Sequence, residues 1–154
     1  MTTARAVRLA VGAFVLIAGI LPSMAAAWVS GNLNPTTFGA LKVAVYDDAY
    51  DGCWTNLGEA KTYAEDRLRN LGYIVSDDVN FHEVAISVNT KRYVNGLCYG
   101  SIDIQIFSSE VVNGIYGNFE VAYSKATFIV PGNINQEALN QIRMMTDEMR
   151  AAQR

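Results

Sequence analysis

The chain has one histidine and two cysteines in 154 residues, and the cysteines are 45 positions apart. That poverty excludes a C-x-x-C redox pair, a Cys/His zinc set and an H-E-x-x-H metalloprotease helix. No P-loop, no G-x-G-x-x-G and no G-x-S-x-G occurs, which removes the common nucleotide-binding and serine-hydrolase signatures. No cofactor and no metal is expected. Nothing repeats at a fixed period, no segment is of low complexity, and no apolar run reaches the ~20 residues that span a bilayer.

The longest apolar run, residues 9–21, follows Arg5 and Arg8 and precedes Pro22 and Ser23-Met24-Ala25-Ala26-Ala27. A basic start, a short apolar core and an A-x-A site make residues 1–27 a secretory signal peptide with cleavage expected before Trp28. The competing reading is an uncleaved anchor, the only case in which a membrane becomes a partner. Removing the leader leaves ten basic against fifteen acidic residues. A mildly acidic surface argues against nucleic acid as a partner and leaves a protein or another envelope component. The localisation expected is periplasmic or secreted, and the oligomeric state is open.

An even cysteine count in an exported domain predicts a bridge, Cys53 to Cys98. Cys53 precedes the first expected helix, and Cys98 shares parity with Ile102 and Ile104.

Residues 82–130 read as three antiparallel strands. Val84, Ile86 and Val88 share one side of a strand, as do Ile102, Ile104 and Ile106 on the next. A two-residue turn at Asn95-Gly96 would set Val88 opposite Asp103. A three-residue loop, Val94-Asn95-Gly96, with Gly96 left-handed, instead pairs Val88 with Ile102, Ile86 with Ile104 and Val84 with Ile106. The second turn, Asn113-Gly114, is expected to be a two-residue one that pairs Ile106 with Val121 and Ile104 with Tyr123. Ala85, Ser87, Asn89, Asp103, Gln105, Ala122 and Ser124 would then form the opposite, wettable face. Past Ser124 the parity slips, which calls for a bulge near Ser124 or Lys125 or for a strand end buried on both faces.

Before the meander, residues 28–40 are rich in Asn, Thr, Gly and Pro and read as an irregular arm. Residues 40–46 alternate as a strand. A helix opens at Thr55 or Asn56, with Asn56 and Glu59 at capping-box spacing, and stops at Gly72. Leu57, Ala60, Ala64, Leu68 and Leu71 make its apolar stripe. A short strand is expected at residues 73–75. A last helix begins near Asn133 or Asn135 and carries Leu139, Ile142, Met145, Met149 and Ala152 on one side. The order β-α-β-β-β-α gives one α+β domain over residues 41–154. It is a two-layer sandwich with a mostly antiparallel sheet and two helices on one face.

The candidate site is the acidic segment Asp47, Asp48, Tyr50 and Asp51, which fails the EF-hand pattern and otherwise reads as a solvated turn before a helix. His82 has no orienting partner at recognisable spacing. Trp54, Tyr50, Tyr93, Tyr99 and Tyr116 lie near turns or strand ends, where aromatics can line a binding surface. The leading expectation is a small exported binding or envelope-assembly module without a catalytic site. The alternative is a small secreted hydrolase that uses the acidic loop with His82.

Overall fold

The structure is a computed structural model that describes residues 26–29, 33–79 and 81–153. The leader up to residue 25 lies outside the described residues. The elements in chain order are β1 (Ala26–Val29), α1 (Pro35–Phe38), β2 (Ala40–Ala49), α2 (Leu57–Asn70), β3 (Ile74–Val75), β4 (His82–Arg92), β5 (Leu97–Val112), β6 (Ile115–Pro131) and α3 (Asn135–Ala152). The strands form one sheet in the order β1-β6-β5-β4-β2-β3. Pairing is antiparallel between β4, β5, β6 and β1, and parallel between β2 and both β4 and β3. The fold is therefore α+β.

The β4–β5 register follows from side-chain alternation. Val84 faces Ile106, Ile86 faces Ile104 and Val88 faces Ile102, so both greasy faces coincide. The connection is the three-residue one: the Gly96 amide donates to Tyr93 O at 2.9 Å, the Tyr93 amide donates to Leu97 O at 2.8 Å, and Gly96 has φ +82°. A β-branched or larger residue at that φ would be strained.

The β5–β6 register departs from expectation. Asn113 (φ +53°) and Gly114 (φ +80°) do form the two-residue turn. The bulge falls earlier than expected, between Ile106 and Phe107, and sets Ile106 opposite Ala122 and Ile104 opposite Ser124. One inserted residue flips everything after it, so Ala122 and Ser124 face the core while Tyr123 turns to the open side. The same shift brings Ala126, Phe128 and Val130 onto the core side, which accounts for the slip in parity. Small side chains suit this part of the core because α3 packs over it, and Gln141 Nε2 donates to the buried Ser124 Oγ.

Both helices lie on the core face and run side by side. Ala60, Ala64 and Leu68 of α2 and Ile142, Met145 and Met149 of α3 close over Val84, Ile86 and Ile104. Burying an aliphatic side chain of this size contributes about 1.5–3 kcal/mol. Ala152, expected in the α3 stripe, is exposed, whereas Gln141 and Thr146 are buried with partners: Arg67 Nε donates to Thr146 Oγ1 at 2.9 Å. The Asn56 side chain donates to Glu59 at 2.9 Å and to the Asn135 carbonyl at 3.4 Å, and does not accept from the first turn of α2 as a capping box would. The segment expected to be irregular, residues 28–40, carries the second half of β1 and α1. Asn34 caps α1 by accepting from the Thr36 amide at 2.9 Å, and Leu33 is buried with its carbonyl accepting from Tyr73 Oη.

Cys53 and Cys98 are bridged, with Cα atoms 5.7 Å apart, and both are fully buried. The Cys53 carbonyl also accepts from the Ile134 amide at 2.9 Å, and Thr55 and Asn135 bond each other. One corner thus gathers the starts of both helices and the turn of the β4–β5 hairpin.

Candidate functional site

The helix-free face of the sheet is built by the residues that alternate with the core. Its centre is Asp103 on β5, which the bulge surrounds with residues of β6. Tyr123 Oη donates to Asp103 Oδ1 at 3.0 Å, Lys125 Nζ lies 3.1 Å from the same oxygen, and Ser101 Oγ donates to Oδ2 at 3.2 Å. Burial, reinforced by the Asp103 carboxylate, pushes the Tyr123 phenol up, and the hydrogen bond to Asp103 pushes the Lys125 ammonium up. Each thus keeps its proton more firmly than usual. Beside them Gln105 donates to Glu120 at 2.8 Å. On the β2 side Tyr46 Oη donates to Glu83 at 2.8 Å, and that hydrogen bond raises the Tyr46 phenol. This face offers fixed hydrogen-bonding groups and mixed charge. It can recognise a polar surface, and its one Ser–Asp contact lacks the histidine that would activate a hydroxyl.

Sequence reasoning placed Asp103 on this face but set Tyr123 in the core. The slip in parity past Ser124 signals a bulge, but places it near Ser124 or Lys125, and the bulge lies at Val121, before Tyr123 rather than after it.

The acidic segment sits at one end of β2. The strand runs to Ala49, so Asp47 and Asp48 belong to it and point to opposite faces. Asp47 Oδ1 accepts from the Ala49 amide at 3.0 Å. Tyr50 and Asp51 are exposed, and Asp51 has φ +57°. Arg92 holds the loop by its backbone, donating to Asp51 O at 3.0 Å, to Gly52 O at 3.2 Å and to Gly96 O at 2.9 Å. The carboxylates stay spread along the sheet end. Among the described residues no group of three His, Cys, Asp or Glu side chains can hold a metal ion.

His82 begins β4, level with Leu41 at the far end of the parallel ladder, while Asp47 lies opposite Val88. Six rungs at ~3.3 Å put them about 20 Å apart. The histidine and the acidic loop therefore do not converge. His82 instead packs on the Phe38 ring, with centroids 4.5 Å apart, and burial holds its imidazole below the ordinary histidine value against an opposing pull from Glu110. Of the aromatics singled out, Trp54 is buried and donates to Asn56 at 2.8 Å, and Tyr93 and Tyr99 stack at 4.3 Å. Tyr50 is exposed in the loop after β2 and Tyr116 is exposed on β6.

No family model and no curated protein sequence matches the chain. The fold is nevertheless shared. The chain is similar to a PelC dodecamer from Paraburkholderia phytofirmans, solved in two crystal forms with a TM-score of 0.53 in each, at 13% and 12% identity. The match covers 83% of this chain and 97% of PelC. At that identity the likeness establishes a common α+β fold.

Proposed function

We propose that the chain is a small exported binding or assembly module of the cell envelope, periplasmic or secreted, that works in several copies. The observation that carries the export half is the buried Cys53–Cys98 bridge, because such a bridge persists in an oxidising compartment. The basic-apolar leader with its A-x-A site agrees with it. Cleavage before Trp28 leaves Trp28 and Val29 to pair with Tyr123 and Ala122. No helix among the described residues is long and apolar enough to cross a membrane.

The assembly half is supported by the fold shared with PelC, a dodecamer, and by a broad polar sheet face built for contact rather than for chemistry. The hydrolase reading loses its basis because His82 and the acidic segment lie at opposite ends of the sheet. The exposed carboxylates of Asp47, Asp48 and Asp51, with Tyr50, remain a recognition edge for a partner.

Fractionation of the source cells with thiol labelling, followed by light scattering of the purified protein, tests both halves. The expected result is an oxidised chain outside the cytoplasm with a mass of several copies. A reduced, cytoplasmic monomer overturns the proposal.

A further inference from the structure

The bond expected to be cut on export lies inside a strand. Cleavage before Trp28 breaks the peptide between Ala27 and Trp28, and β1 pairs both residues with β6, Ala27 with Ser124 and Trp28 with Tyr123. Ala26 and Val29 continue the ladder on either side, opposite Lys125 and Ala122. The bond therefore sits at the centre of the four-residue strand, with β6 beside it and α3 packed against it.

A peptidase that cuts at this point competes with the sheet. It takes the residues about the bond as an extended segment and has to close around them, so the segment must first be free of its own strand partner. The chain also leaves such an enzyme little room. The apolar run ends at Leu21, and Pro22, Ser23, Met24 and Ala25 alone separate it from β1. Four residues at full extension reach about 14 Å. While the apolar run is still held in the membrane, docking of β1 on β6 draws the folded domain to within that distance of the lipid. A peptidase domain is wider than the gap, since even 100 residues have a radius of gyration of about 13 Å.

We infer that β1 is a timing device: the leader is cut only before β1 docks on β6, and a chain that folds first keeps its leader and stays anchored. The inference rests on the export reading above. It makes the cut chain and the anchored chain two outcomes of one competition, between the peptidase and folding.

The strand differs between the two outcomes. The uncut chain keeps all four pairs of β1. Cutting removes Ala26 and Ala27, so Ser124 and Lys125 lose the residues that pair with them from β1. In an antiparallel ladder successive residues turn their N–H and C=O to opposite neighbours, so one of these two points its backbone groups at β1 and gives them to water after the cut. The side chains keep their partners, Gln141 for Ser124 and Asp103 for Lys125, so the change is confined to the backbone edge. Cutting after folding would require β1 to open, and its rate would follow the small population of the opened state.

The test uses the full 154-residue chain, bridge intact, with purified leader peptidase in detergent. One sample is folded before the peptidase is added, and the other is diluted from urea directly into it. The expected result is a rapid cut before Trp28 in the second sample that stops as folding completes, and a rate at least about tenfold lower in the first. Hydrogen exchange supplies an independent readout: one amide of residues 124 and 125 exchanges faster in the cut chain than in the uncut chain, while the β4–β5 ladder is unchanged. Equal cutting rates in the two samples overturn the inference and leave the export reading standing, and so does equal exchange at residues 124 and 125 in the two chains. A chain that is cut before Trp28 in neither sample overturns the expected cleavage, and the inference with it.

Discussion

The Cβ that Gly100 lacks would lie 2.1 Å from the Asn89 carbonyl oxygen and 2.7 Å from Thr90 Cα. Gly100 has φ +153° and faces Thr90 across the β4–β5 ladder, so both conformation and close backbone approach require glycine. Gly100→Ala must push the two strands apart next to the Cys98 bridge. It is expected to destabilise by about 3 kcal/mol, read as a lowered urea midpoint with little change in slope.

Gln141 and Ser124 form a buried polar pair between α3 and the sheet. Ser124→Ala strands the Gln141 amide and should destabilise by about 1–3 kcal/mol. Adding Gln141→Leu removes the orphaned group and should recover part of that loss. A double-mutant cycle in urea checks this; simple additivity would mean that the pair is not coupled.

Reduction of Cys53–Cys98 releases a closed loop of 45 residues and should lower stability by about 4 kcal/mol in the chain-entropy model. Hydrogen exchange should quicken first at the starts of α2 and α3 and at the β4–β5 turn, the elements that meet at this corner. Uniform quickening throughout the sheet would show that the bridge acts on the whole domain.

His82 supplies a pH dependence of definite sign. Its folded value lies below the ordinary one of about 6.5, because burial disfavours the imidazolium. As pH falls, the unfolded chain takes up the proton first, so stability is full above about 6.5 and is lost as pH falls through the folded value. His82→Gln should flatten urea midpoints between neutral pH and about 5, above the range where carboxylates titrate. An unchanged slope would mean that another group governs it.

The sequence revealed most of the fold wherever two elements carried the same pattern. Ile and Val alternate on both β4 and β5, so only one loop length brings their greasy faces together, and the register and the direction of Cys98 followed. On β6 the pattern misled: the core residues opposite Ile106 and Ile104 are Ala122 and Ser124, neither of which reads as core. Gln141, on a helix seventeen residues further on, partners the buried Ser124, and the only trace in the sequence is the slip in parity past Ser124, which signals a bulge without fixing its place. The candidate chemistry failed for a related reason. His82 and the aspartates are close in type, but alternation says nothing of strand order, and parallel pairing of β2 with β4 carries them to opposite ends of the sheet. The polar cluster at Asp103 was half legible, since its Tyr123 and Lys125 partners arrive only through the bulge.

Native mass spectrometry of the protein recovered from its source, without reductant, tests the central claim in one measurement. An exported multi-copy module predicts a chain beginning at Trp28, lighter by the two hydrogens of one bridge, in a complex of several copies. A monomer that begins at Met1 with both thiols free would contradict it.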